Sequence, residues 1–340
     1  MHRPKRKFAL SVLALAVAGA ALAYGFFRRD LAAAHARLAG ASQLAATRCG
    51  PIEYAAAGTG PPILLVHGAG GGFDQGLAVG RSLAARGHRV IAMSRFGYLR
   101  TPLPADASAA AQADAHACLL DAVGLERAAV VGVSAGAPSA LQLAVRHPER
   151  VSALVLMVPA AYVPRQGGAA AVRTPPGTLQ LFDTALRSDF LFWAIRRAAP
   201  TLMIRGLLGT PPELVERADP AERARVGAML DEIFPVSDRR LGLLNDAVVT
   251  TNIARYALEK VSAPTLTISA ADDLYGTYDA ARYTAEQISG ARFVGYPDGG
   301  HVLVGRNADA ARAIADFIAA AENDTTSGAA GTWDRPRPSR

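Results

Sequence analysis

The sequence predicts an α/β fold: a mostly parallel sheet covered by helices on both faces, with a helical lid insertion. Three observations predict it. Apolar runs of strand length recur at 63–66, 89–93, 128–133, 153–158, 265–269 and 291–296, and runs with little polar alternation suit parallel strands buried on both faces. Helical patterns fall between them, at 77–86, 107–123, 135–147, 278–288 and 308–321, and strands alternating with helices build parallel sheets. The alternation breaks once, for about a hundred residues after Val158, which read as helices with proline stops and form a lid at about 160–262. An insertion there lies above the C-terminal edge of the sheet, where open α/β sheets bind ligands.

At the N-terminus, Arg3, Lys5, Arg6 and Lys7 precede 20 uncharged residues, Phe8 to Phe27, closed by Arg28 and Arg29. A helix of that length crosses a hydrocarbon core. Residues 1–29 therefore read as a basic N-terminus and membrane anchor; the Ala21-Leu22-Ala23 triplet also fits the cleavage site of a signal peptide, which stays open as the alternative. Four Lys/Arg precede the span and three follow it closely (Arg28, Arg29, Arg37), a bias that puts the N-terminus in the cytoplasm and the domain on the far side. Residues 30–48 read as a helical stalk, 49–322 as the folded domain, opening with a strand at 52–56, and 323–340 as a disordered tail rich in Thr, Ser, Gly and Pro. The lid aromatics Phe182, Phe190, Phe192 and Trp193 are assigned to the lid's own core.

Composition narrows the function. A chain of 340 residues with 51% hydrophobic and 19% charged residues is globular. Its net charge of +7 suggests a polyanion partner only until the charges are located: residues 3–7 carry +4 and the tail (Arg335, Arg337 and Arg340 against Asp334) carries +2. The middle is close to neutral, which argues against a nucleic-acid partner. Cys49 and Cys118 are too few for a disulfide framework and lack metal-ligand spacing. Cys118 reads as a small buried apolar residue, and pairing of the two is the lesser alternative, open to an exported domain.

The chemistry centres on Val130-Val-Gly132-Val-Ser134-Ala-Gly136, a strand running into a G-x-S-x-G turn and then into a helix. A serine lifted out of a sheet on so tight a turn needs small neighbours two residues either side, and Gly132 and Gly136 supply them. At a helix N-terminus, free N–H groups favour the negative charge of acyl chemistry. Such a serine needs a base, an acid to orient the base, and donors for an oxyanion. His301, in Pro297-Asp-Gly-Gly-His301 after the last strand, is the candidate base; the carboxylate follows the strand 265–269 in Ala270-Ala-Asp272-Asp273. The N–H of Ala135 and one from Ala69 or Gly70, in the loop His67-Gly-Ala-Gly-Gly-Gly-Phe73, are the oxyanion donors. His67 is read as structural, orienting that loop. A phosphate-binding reading of the same glycines fails, because no Gly-Lys-Ser/Thr sequel follows.

Over about Cys49 to Glu322 these motifs make the chain similar to the α/β-hydrolase superfamily, in its serine-nucleophile branch and in the chain order Ser, Asp, His. The resemblance implies a G-x-x-D acid motif after a strand beginning Pro-Thr; Pro264-Thr265 sets that register and selects Asp273 over Asp272, with Ala270 where glycine is usual. Ser94-Arg-Phe-Gly-Tyr98 is similar to the family's D-x-x-G-x-G loop, with serine in place of aspartate. Serine at 134 argues against the epoxide hydrolase and dehalogenase branches. The expectation is a carboxylic ester hydrolase acting on a small-molecule ester of small or medium apolar character, without cofactor or metal. A C–C bond hydrolase or perhydrolase on the same triad, or a non-catalytic membrane-tethered binding protein on a hydrolase scaffold, are the alternatives.

Overall fold

Strands in which nearly every side chain is apolar need cover on both faces, and the sheet receives it. The computed structural model describes residues 3–164, 178–251 and 253–330, so that 165–177 and 252 of the expected lid lie outside the described residues. Eight strands, β1 (Gln43–Thr47), β2 (Gly50–Ala57), β3 (Pro62–Val66), β4 (Arg89–Met93), β5 (Ala128–Val133), β6 (Val151–Met157), β7 (Thr265–Ala270) and β8 (Arg292–Tyr296), form one sheet in the order β1-β2-β4-β3-β5-β6-β7-β8. From β4 through β8 all pairings are parallel; β1 and β2 pair antiparallel at one edge.

Side chains of a strand alternate between faces, and the core divides accordingly. On one face Leu64, Val66 and Val130 pack with Leu119 of α3 (Ala109–Ala122) and Leu141 of α4 (Ala137–Arg146). On the other, Ile63, Leu65 and Val131 pack with Leu83 of α2 (Phe73–Ala84) and with Ile314 and Ile318 of α12 (Asn307–Ala330). The helix α11 (Thr277–Gln287) joins β7 to β8.

Between β6 and β7 the described residues form six helices: α5 (Thr178–Leu186), α6 (Asp189–Ala198), α7 (Pro200–Leu207), α8 (Pro212–Arg217), α9 (Pro220–Glu232) and α10 (Arg240–Thr251). They share a third apolar cluster, in which Phe192 and Trp193 are buried and Phe182 is half-buried, whereas Phe190 is 42% exposed.

Three boundaries differ from the sequence reading. Residues 30–48 are not a separate stalk: α1 runs unbroken from Arg3 to Leu38, Phe27 and Ala34 are buried against the lid, and 43–47 is an edge strand. That strand escapes sequence patterning because its residues, Gln-Leu-Ala-Ala-Thr, are largely exposed and are held by pairing with β2. The sheet thus starts before 49. At the far end α12 continues to Ala330, past the expected start of the tail at 323, and 331–340 lie outside the described residues. Within α1 the stretch Leu10–Leu38 is long and apolar enough to cross a membrane, with a mean hydropathy of 2.1 in its most apolar window.

Cys118 is also reassigned. It is bonded to Cys49, 69 residues away, because the β1–β2 turn lies over α3, where Arg48 also pairs with Asp121. Closing a loop of that size restricts the unfolded chain by about 4 kcal/mol in the chain-entropy account. Cys118→Ser is expected to lower the unfolding free energy by about 2–5 kcal/mol, read from urea melts without reductant; coincident melts of variant and wild type would contradict the link.

Candidate active site

The turn after β5 is built as the spacing requires. Ser134 holds a left-handed backbone, φ 50, a conformation that costs a non-glycine residue about 1–3 kcal/mol and persists where the surroundings impose it. A Cβ on Gly136 would stand 2.5 Å from the carbonyl oxygen of Val66 and 2.6 Å from that of His67; one on Gly132 would stand 2.7 Å from the Cβ of Ala140. Both positions are therefore closed to larger residues. The 3-10 turn Ser134–Gly136 leads into α4, so the N–H of Ala135 belongs to a first helical turn, whose amides lack intrahelical acceptors.

Three distant segments meet here. His301 Nε2 lies 2.8 Å from Ser134 Oγ, and His301 Nδ1 lies 2.8 Å from Asp273 Oδ2. Asp273, whose side chain is fully buried, also accepts from the N–H of Tyr275 at 2.8 Å and from the Thr277 hydroxyl. A buried carboxylate needs that many donors. Asp272 stands apart from this chain of contacts; its Oδ1 accepts from the N–H of Gly300 at 2.8 Å and braces the glycine turn that carries His301.

The lid takes part in placing the histidine. The carbonyl of Gly209, beyond α7, accepts from the N–H of His301 at 3.3 Å and from that of Leu274 at 2.9 Å, joining the loop that carries His301 to the loop that carries Asp273. Thr210 Oγ1 accepts from Val302 N–H at 3.2 Å, and the Tyr275 ring packs edge-on against His301 with centroids 4.8 Å apart. Nothing in the sequence marked Gly209, Thr210, Tyr275 or Thr277, because each acts through backbone or local contacts without a motif.

The glycine loop after β3 lies against the candidate nucleophile: a Cβ on Gly68 would stand 3.2 Å from the Ser134 Cβ. Of the two candidate second donors, Gly70 is committed elsewhere, since its N–H donates to the Tyr98 hydroxyl at 3.1 Å. The Ala69 N–H has no acceptor among the described residues and stays available. His67 is fully buried; its Nδ1 donates to the Gly68 carbonyl at 2.7 Å and its Nε2 accepts from Arg95 N–H at 3.0 Å. Burial, reinforced by the Arg95 guanidinium, holds its pKa well below the ordinary imidazole value, so it is a neutral brace for the loop.

Below the loop, Arg95 donates to the carbonyls of His67 and Gly68 at 2.9 and 3.1 Å and binds Asp246 of α10 through two contacts of 2.7 Å. Tyr98 donates to the same carboxylate. Burial and the adjacent carboxylate raise the Tyr98 pKa well above that of an ordinary phenol, so the hydroxyl keeps its proton. The serine at position 94 is absorbed by Glu53, a buried carboxylate that accepts from Ser94 Oγ at 2.8 Å. The loop carrying the candidate oxyanion donor is thereby tied to the lid.

A serine hydrogen-bonded to a histidine that is held by a buried carboxylate, on a parallel sheet with a helical insertion, is the arrangement of a hydrolase. The sequence model of the alpha/beta hydrolase fold matches residues 61–307, and the chain belongs to that family. It is 42% identical over 103 residues to the 2-hydroxymuconate semialdehyde hydrolase of Pseudomonas putida, a match that spans 29% of this chain and 37% of that relative. It is 31% identical over 251 residues to the Klebsiella pneumoniae protein that bears the name "Putative carbamate hydrolase RutD", covering 73% of this chain and 87% of the relative. Among solved structures, an alpha/beta hydrolase fold protein from Nakamurella multipartita superposes with a TM-score of 0.64 at 28% identity, covering 82% of this chain and 98% of the other.

Behind the loop, Arg239 donates to the Gly71 carbonyl at 2.6 Å and shares Asp74 with Arg37 of α1. Glu232, at the end of α9, faces this group with a buried carboxylate oxygen that has no partner among the described residues. Burial, with the charge of Asp74 adding to it, pushes its pKa up to about 7, against Arg37, Arg239 and Arg81, which pull it down. A folded pKa above the unfolded value means that the folded state binds the extra proton, so this contribution to stability is complete below about pH 4.5 and is lost as pH rises through about 7. Glu232→Gln is expected to flatten that loss, gaining about 1–3 kcal/mol on the wild type at pH 8 and little at pH 4.5, read from urea melts at both values; parallel pH profiles would contradict it.

Proposed function

We propose that the chain is a serine hydrolase of carboxylic esters. The observation that carries this reading is the His301 ring, within hydrogen-bond reach of Ser134 on one side and Asp273 on the other. In this reading Ser134 Oγ attacks the ester carbonyl while His301 Nε2 takes its proton. Asp273 fixes the ring and stabilises the imidazolium. The amides of Ala135 and Ala69 bind the oxyanion, an interaction worth about a hundred- to a thousandfold in rate per donor. His301 returns the proton to the leaving alkoxide, and water then releases the acid from Ser134 by the same steps. An ester suits this apparatus because its leaving group needs one proton from one acid, and the histidine supplies it. No nucleic-acid, cofactor or metal role enters the reading.

The match to 2-hydroxymuconate semialdehyde hydrolase supports a second reading, C–C bond hydrolysis on the same three residues. Turnover of an enol-ketone substrate, in which a C–C bond breaks, discriminates the two.

We further propose that α1 anchors the chain in a membrane with the hydrolase domain on the non-cytoplasmic side. Two independent features support this side: the basic residues that precede the span, and the Cys49–Cys118 bond, which persists in oxidising compartments.

Ser134→Ala is expected to abolish turnover of p-nitrophenyl esters with the thermal transition kept, and Asp273→Asn to lower kcat by about 10⁴. Unimpaired ester turnover by Ser134→Ala would refute the assignment, and wild-type cleavage of a dienol ketone in preference to esters would select the second reading.

A further inference from the structure

We propose that the lid face formed by α6 and α7 lies on the bilayer and that the Ser134 site takes its substrate, a fatty-acyl ester of a glycerophospholipid, directly from it. The inference rests on the ester-hydrolase reading and on α1 as a span, and adds what those leave open: the substrate class and where it enters.

The helix α1 is docked on the lid. The helix that carries the apolar span continues without a break onto the lid, where Phe27 is 7% exposed and its ring meets those of Phe190, Trp193 and Phe234 at 5.2, 5.9 and 6.4 Å. Asp30 accepts from Trp193 Nε1 at 2.9 Å and pairs with Arg197, and Arg37 donates to the Phe234 carbonyl at 2.9 Å. Asp30 lies three residues beyond the last apolar residue of the span, about 5 Å along a helix. The contact between α1 and α6 therefore sits at the level of the lipid headgroups.

The surface around that contact is built for such a place. Tyr24 and Phe26 on the helix, and Phe190, Leu191 and Leu202 on α6 and α7, are 42–62% exposed. Aromatic side chains concentrate at this depth in membrane proteins. Arg28 and Arg205 are exposed and make no ion pair among the described residues, which suits them to lipid phosphates.

The same helices reach the catalytic histidine. The C-terminal carbonyls of α7, at Gly206 and Leu207, accept from the Tyr275 hydroxyl at 3.0 and 3.1 Å, and Gly209 accepts from His301 N–H. Leu274 and Tyr275 beside them are 44% and 53% exposed. From the exposed Leu202 to the Gly209 contact is about two turns of chain, roughly 10 Å. Met203, Ile204 and Leu207 lie half-buried along that stretch, apolar side chains beside which an acyl chain drawn from the bilayer towards Ser134 would run. Ser134 Oγ then bonds to the acyl carbon, the bond to the glycerol oxygen breaks, and His301 passes the serine proton to that oxygen. Water releases the fatty acid and regenerates the serine.

The test uses the full chain reconstituted in vesicles of phosphatidylethanolamine and phosphatidylglycerol, with released fatty acid measured by mass spectrometry and p-nitrophenyl butyrate turnover measured alongside. The wild type is expected to cleave both substrates. In Leu191→Asp/Leu202→Asp the ratio of lipid to butyrate turnover is expected to fall at least tenfold, and Leu202→Gln, a milder change, is expected to move it the same way. A ratio unchanged in both variants overturns the inference. Wild-type cleavage of the butyrate with vesicle lipid untouched overturns it while sparing the ester reading, and cleavage of neither by the wild type overturns the ester reading itself.

Discussion

The steric limit at the turn after β5 governs the rest of the molecule. Ser134 holds a left-handed backbone, and its neighbours two residues either side are closed in, Gly136 by the carbonyls of Val66 and His67 and Gly132 by Ala140, so that glycine is the tolerated residue at 132 and 136. That compression pushes one hydroxyl above the sheet edge, at the start of a helix, against the glycine loop from the neighbouring strand. Because β3 and β5 pair in parallel, the loop that follows β3 and the turn that follows β5 end at the same level. The candidate oxyanion donors and the candidate nucleophile are therefore brought together by register.

The lid is a structural member of the site as well as its cover. Gly209 ties the acid and base loops through two backbone hydrogen bonds, and Asp246 reaches the glycine loop through Arg95 and Tyr98. The Arg95–Asp246 pair is buried, so removing one partner would leave a charge unpaired, a change that costs about 3–5 kcal/mol in other proteins. The insertion thus holds the loops that carry Ser134's partners and the candidate oxyanion donor. With α1 docked on the same insertion, the apolar N-terminal helix, the lid and the loops carrying Ser134, Asp273 and His301 form one connected body.

Much of this was legible in the sequence. Strands buried on both faces announce themselves as apolar runs, and the loop-borne candidates Ser134, Asp273, His301 and Ala135, with Ala69 or Gly70 as alternatives for a second donor, could be proposed because each follows a recognisable strand. Elements lacking such a signature were not. The edge strand 43–47 is exposed and alanine-rich, the Cys49–Cys118 bond spans 69 residues, and Gly70 is excluded as a donor by a tyrosine 28 residues away. The docking of α1 on the lid was hidden for the same reason: Phe27 reads as the end of an apolar span, and only its neighbours in space show that it is also core.

The chemistry of the site turns on Ser134 being the activated hydroxyl of the chain. The most direct measurement is peptide mapping by mass spectrometry after reaction of the full-length protein with a fluorophosphonate. A single phosphonyl adduct on Ser134, lost when His301 is replaced by alanine, is the predicted result; an unmodified Ser134, or an adduct that forms equally well without the histidine, contradicts it.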